Sequence, residues 1–437
     1  MRDIVILLMV FGPIPFVLTH PSRGILLWVF VSLLNPHRFS WGALYSLPVA
    51  AIAAAAVFIG LVMSRDEKRP PFGVAQILLI LLSLWICVTQ AYAFFPEPSW
   101  EMVSRVLKIY LMTVVAMCVI VNERQIKELV WVMTLSIAFL STKGGIFTLL
   151  SGGSYRVYGP SVSFIEDNNS FALAALMIVP LLIFLAGQVS NRWAKWGLLL
   201  CVPFSVLSSV GSHSRGALLA LFAMVLMLFM KSRRKILLLM VVLTALPLLV
   251  AFLPAEWFNR METIQTYDQD ASAMGRINSW HMAFNLACDR ITGGGFALAN
   301  TFVFGLYAPN PNIPLAAHSI YFEVLGEHGF IGLFLFLGIG ITAWSQAGWV
   351  IRHAPAIPEF AWMVSLARML QVSLAVFAVG GAFLSMTYWD MPYYATVVTV
   401  AMKRLLRERM LAVRAADSPA ILPKPVPPGL STASVRC

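Results

Sequence analysis

Apolar residues occupy this chain in long, almost unbroken blocks rather than in the alternating pattern of a half-buried strand. Blocks approaching roughly 17–25 residues have the length an α-helix needs to cross a bilayer. They fall near 4–18, 24–34, 45–63, 72–94, 106–121, 126–140, 171–188, 193–208, 217–230, 236–253, 319–344, 360–384 and 393–405. Short polar interruptions separate most of them, but one polar interval, 254–317, is far longer than the others. The pattern predicts an all-α, polytopic integral membrane protein of about 12 transmembrane helices. Residues 1–414 form a single transmembrane domain, and 254–317 is a loop outside the lipid. Inside that loop, Trp280, Ala283, Phe284 and Ala287 recur at helical spacing, which predicts an amphipathic helix over 279–287 lying on the membrane.

Composition excludes the soluble alternative. Of 437 residues, 59% are hydrophobic and 12% charged, with a mean hydropathy of +0.80. A single soluble core stops growing near 250–300 residues and could not bury that much apolar surface. The net charge of +11 would suggest nucleic acid in a soluble chain. Here the basic residues gather in short loops at 65–69, 122–127, 191–195 and 231–235 and in the tail from Lys403. The positive-inside bias and anionic head groups explain most of the excess, with polyanions on the wet loops as a second contributor, and no nucleic-acid partner is expected. The basic loops are then cytoplasmic, which puts 95–105, 150–170, 209–215 and 254–317 on the outer side of the membrane. The N-terminus lies outside if the first two short runs both cross; a shallow hairpin or one broken span are the other options. The first run lacks a small-residue cleavage site and is expected to stay in the membrane. The proline-containing end, 415–437, reads as a disordered cytoplasmic tail. Five cysteines form no CxxC motif, and no disulfide is expected.

Four clusters carry candidate chemistry, all on the predicted outer side. The first runs from Tyr155-Arg156 through Gly159 to Asp167-Asn168-Asn169. Asn168 and Asn169 suit a helix N-cap, alone or alongside a function, and Arg156, flanked by tyrosines, could equally be an interfacial anchor. The second, Ser212-His213-Ser214-Arg215-Gly216, opens an apolar run. Arg215 would either snorkel to head groups or present a fork of donors to a phosphate at a helix N-terminus. The third is Gly275-Arg276 at the start of the loop helix, where the alternative to function is a solvated surface arginine. The fourth is His318-Ser319-Ile320-Tyr321-Phe322-Glu323, followed by Glu327 and His328, at the mouth of the next membrane helix. A helix would set neither Glu323 nor Glu327 directly beside His318. Gly326, Gly329 and Gly332 recur every three residues and suit close helix packing. His281, His328 and His353 have no comparable supporting pattern. There is no HExxH, P-loop or dinucleotide fingerprint, so no metal and no cofactor are expected. The energy must come from an activated substrate or a gradient.

His318-Ser319, nine residues, then Gly329-Phe330-Ile331-Gly332 after a long outer loop resembles the signature of bacterial O-antigen ligases. Ser214-Arg215-Gly216-Ala217, Gly275-Arg276, and Arg156 with Gly159 and Asn168 resemble stretches of the same ligase and polymerase superfamily. The N-terminal third is similar to the exosortase-associated variety known as putative O-glycosylation ligases. The resemblance implies a GT-C-like helical architecture, an undecaprenyl-diphosphate-linked glycan as donor, and a sugar hydroxyl of the lipid A core as acceptor. It also implies metal-independent inverting transfer. Physical chemistry assigns Arg215 and Arg276, with Arg156 third, to the diphosphate, and His318 to the acceptor's proton. Tyr321, Asn168, Asn169 and Ser319 would orient sugar hydroxyls, and arginines near His318 should keep it neutral. The same chemistry serves a polymerase or a ligase acting on protein or another surface polymer. A lipid-linked glycan transporter is disfavoured, because polar residues crowd one face rather than mid-membrane.

Overall fold

The computed structural model describes residues 2–69, 73–232, 234–255, 257–258 and 271–417, and it is 77% helix with no strand among the described residues. The first helices are α1 (Arg2–Phe11), α2 (Ile14–Thr19), α3 (Pro21–Leu34), α4 (Val49–Met63), α5 (Val74–Ala91), α6 (Pro96–Val119) and α7 (Glu123–Leu150). There follow α8 (Asn168–Met177), α9 (Val179–Ala186), α10 (Arg192–Val210), α11 (Arg215–Lys231) and α12 (Lys235–Phe252). The long polar interval contains α13 (Ala271–Asp289) and α14 (Thr301–Tyr307), and α15 (Ile320–His353), α16 (Pro358–Gly381) and α17 (Asp390–Asp417) close the bundle. Every apolar block read from the sequence has a helical counterpart. Residues 418–437, which hold most of the expected tail, lie outside the described residues, as do 259–270 of the long interval.

Nine spans among the described residues are long and apolar enough to cross a membrane, with α1–α2 and α8–α9 each counted as one. That is fewer than the expected 12, for identifiable reasons. α3, α4 and α11 have only 14, 15 and 17 residues. α17 begins apolar but turns charged at Lys403, Arg404, Arg407 and Arg409. The chain is a multi-pass membrane protein.

Local sequence explains where the helices begin. Asn122 and Gln125 form a reciprocal capping box on α7, and the side chains of Asp167, Asn191 and Ser214 cap α8, α10 and α11. α8 and α9 are one traverse interrupted at Ile178, just before Pro180, whose ring removes a backbone donor. The predicted helix over 279–287 is the second half of α13. Its apolar side is not laid on the membrane as expected: Met282, Ala283, Leu286 and Ala287 are buried within the protein and α13 packs on α15, leaving Phe284 exposed.

Helix direction alternates between two ends of the bundle. At one end Arg409 pairs with Glu123 at 2.8 Å and Glu359 at 3.1 Å, Arg69 pairs with Glu408, and His20 meets Asp66. This end gathers the basic loops. At the other, Arg2 lies over the Trp41 ring and the amide of Phe94 donates to the carbonyl of Gly294. The N-terminus of α1 therefore sits at the same end as His318.

α15 is not continuous. Gly329 has φ 65° and ψ −171°, a conformation open to glycine almost alone. The break admits the segment after α13: Gly294 and Gly295 donate to the carbonyls of Gly326 and Glu327, at 2.9 and 3.0 Å. A Cβ on Gly329 would overlap the Ile291 carbonyl. Of the three glycines expected to smooth a helix face, Gly326 lies close against Ala283 of α13, whereas Gly329 interrupts the helix to seat a loop. Gly329→Ala should cost about 2–5 kcal/mol, read as a lower unfolding midpoint in detergent. Gly340→Ala, where nothing lies near the added methyl, should leave the midpoint unchanged or slightly raised.

Candidate active site

Three helix N-termini and one loop converge at the His318 end. On α8, Asp167 accepts from the amides of Asn169 and Ser170, while Asn168 is buried and donates to the Ser212 carbonyl at 2.7 Å. That bond ties α8 to the turn before α11. The turn is further fixed by His213, at φ 57°, bonded to the Gly153 carbonyl, and by the Val157 amide on the Gly211 carbonyl. α11 starts at Arg215, with Ser214 accepting from the Ala217 amide.

α13 supplies the opposite wall. Its Ser279 and Trp280 side chains donate to the carbonyls of Leu315 and Ala317, both at 2.8 Å, and Asn278 holds the Asn310 carbonyl. Gly275 lets Leu315 pass, since a Cβ there would collide with its side chain. The Trp280 ring stacks on Phe322 at 5.0 Å. α13 is therefore fastened to the strip of chain that delivers His318.

Between these walls lies a small polar cavity of about 70 Å³, lined by Arg215, Arg276, Asn169 and Ser214 and closed by Phe383 and Leu384. Two half-buried guanidinium groups from helices about 60 residues apart in sequence thus share one space. His318 stands beside it, half-buried, in the left-handed region at φ 44°. Burial holds its imidazole below the usual pKa, the Arg276 guanidinium lowers it further, and the Asp167 carboxylate opposes both. An arginine beside the histidine was expected; that burial outweighs it was not.

The remaining expected residues divide. Asn169 lines the cavity, whereas Asn168 spends its amide on the Ser212 carbonyl. Ser319 is buried at the N-cap of α15, but its side chain makes no cap bond. Arg156 is exposed and does not line the cavity. The Tyr321 hydroxyl donates to the Ala378 carbonyl at 2.8 Å, and its ring borders a second, apolar groove of about 420 Å³ between α15, α16 and α17. That groove reaches Ala378 and Val379 while the cavity reaches Phe383 and Leu384, so the last turn of α16 joins them.

The sequence reading missed a polar cluster deeper in the bundle. Glu323 accepts from Thr387, Glu327 from Tyr388, and the fully buried His328 bonds Thr89 at 2.8 Å. The i, i+4 spacing of the two glutamates was the available signal, and their partners come from the α16–α17 connection more than 60 residues away. As expected, neither glutamate bonds His318.

Residues 200–337 match the protein family described as O-antigen ligase. That segment belongs to the O-antigen ligase superfamily. Residues 1–190 match a separate family of unknown function, and no curated protein matches the chain. The O-antigen ligase segment contains Arg215, Arg276, His318 and Gly329, whereas Asn169 comes from the other segment. The cavity is therefore built from both. Membership implies a glycosyltransferase-like ligase activity that joins a lipid-linked glycan to a lipid acceptor.

If His318 must be neutral to act, its lowered pKa extends the working form to more acidic pH. The acidic limb of kcat/KM should then fall below about pH 6.5. Arg276→Met should move that limb upward, and Asp167→Asn should move it down, because the first removes a neighbouring cation and the second an anion. Limbs that stay in place in both variants would separate the rate from His318.

Proposed function

We propose that this protein transfers a glycan from undecaprenyl diphosphate to a sugar hydroxyl of the lipid A core, at the periplasmic face of the inner membrane. His318 takes the proton of the acceptor hydroxyl as its oxygen attacks the anomeric carbon. The bond from that carbon to the diphosphate breaks, configuration inverts, and the diphosphate leaves with the bonding electrons. Its growing charge is met by Arg215 and Arg276, so no metal ion is required for this step. Asn169 orients a sugar hydroxyl. The prenyl chain lies in the groove beside Tyr321, a few residues from the cavity that takes its head.

The observation that carries the reading is the shared cavity of Arg215 and Arg276 beside a half-buried histidine. Fixed guanidinium groups in a water-poor space stabilise a diphosphate that gains a further negative charge as it leaves, without reorganising during the reaction. The gathering of the basic loops at the opposite end supports the periplasmic assignment. Purified protein should be reconstituted with a polyprenyl-diphosphate glycan and, separately, with lipid A core, a second lipid-linked glycan, or a peptide. Transfer to lipid A core that survives EDTA is the expected result. Transfer only between lipid-linked glycans would make the protein a polymerase, and EDTA loss rescued by a divalent ion would reverse the metal-free account.

A further inference from the structure

We propose that the groove between α1, α3 and α7 is a binding site for an anionic phospholipid, with its phosphate held by Arg2 and Lys143. The groove has a volume of about 1030 Å³ and an almost wholly apolar wall that includes Met9, Phe30, Leu135 and Phe139. It lies within the segment of unknown function. Its polar lining is cationic apart from Ser136, and the cations sit at its ends. Arg2 and Lys143 mark the His318 end, Arg2 over the Trp41 ring at 5.4 Å and Lys143 near the Phe39 ring at 5.8 Å. Arg23 marks the other end, near Phe16.

Two observations choose the occupant. First, the charges at the His318 end run against the distribution of the basic loops, which gather at the opposite end. A lysine inside a membrane-spanning helix is costly unless an anion or a polar surface receives it. An apolar trough capped by two cations, of which Arg2 stands 3.9 Å from the exposed Asp3 carboxylate, keeps a net positive end that complements a molecule with acyl chains and one anionic head. Second, α7 stands between this groove and the Arg215–Arg276 cavity. Residues 132, 135, 139 and 143 face the groove, whereas Ser141, Gly144 and Gly145 on the opposite side meet Ser205, Ser208 and Phe204 of α10. A lipid held here cannot set its phosphate on Arg215, which makes it a bilayer phospholipid rather than the glycan donor.

Trp131 lines the groove and provides the probe. The full-length protein would be reconstituted with phosphatidylglycerol or phosphatidylcholine brominated on the acyl chains. Quenching specific to Trp131 is the difference between wild type and Trp131→Phe. Phosphatidylglycerol should reach half-maximal quenching at a lower mole fraction, with about a fivefold advantage for each cation engaged. Arg2→Gln with Lys143→Gln should erase the preference while Arg23→Gln keeps it. Both altered side chains are exposed, so the double variant should unfold at the wild-type midpoint in phosphatidylcholine. Equal quenching by the two lipids, or a preference that survives the double variant or disappears with Arg23→Gln, would overturn the proposal. The result does not depend on the ligase reading.

Discussion

His318→Ala is expected to lower the rate of glycan transfer by about 10²–10⁴-fold, the usual worth of a positioned general base. The loss should fall on kcat, with the KM for the lipid-linked donor little changed, because His318 borders the arginine cavity without being part of its lining. Its backbone is held in the left-handed region by the bonds that fasten 315–317 to α13, so a smaller side chain there leaves the surrounding geometry in place. Folding should be monitored by the unfolding midpoint in detergent. A folded variant that transfers at near the wild-type rate would remove His318 as the base.

Arg215→Lys and Arg276→Lys should each reduce transfer by about 10²–10³-fold, comparable to removing one donor from a preorganised oxyanion site. Lysine keeps the charge but presents a compact, strongly hydrated ammonium in place of a planar fork. In a cavity of about 70 Å³ there is little room to recover the lost second bond by shifting the side chain. The double variant should lose less than the product of the single losses, since the two groups share one space and act on one charge. Arg156→Lys, on an exposed residue outside the lining, is the contrast and should be nearly neutral. Normal transfer by both cavity variants would sink the diphosphate assignment.

Each apolar block has a helical counterpart, yet an edge was set too short where small and polar residues are buried between helices. α7 was expected to end near 140 and continues to Leu150. Its Ser141, Gly144 and Gly145 look like a loop in sequence but face α10, where small residues allow close approach. Arg215, Arg276 and His318 were legible as a set because each sits where a polar stretch meets an apolar one, on one predicted side. Arg156 shared that setting and is not in the cavity, since sequence adjacency to Gly159 says nothing about which way a loop residue faces. The partner of Tyr321 was hidden for a related reason: its hydroxyl donates to a carbonyl of α16, 57 residues away. The same distance in sequence hid the pairing of Glu323 and Glu327 with Thr387 and Tyr388.

The contact between α7 and α10 limits which front and rear portions can be combined. Gly145 lies so close to the Phe204 backbone that no larger residue fits, and this seam joins the two regions that match different families. The short stretch between those matches is therefore no border in the folded molecule. A front portion grafted from another protein would seat against the rear one only if it too left positions 144 and 145 without side chains.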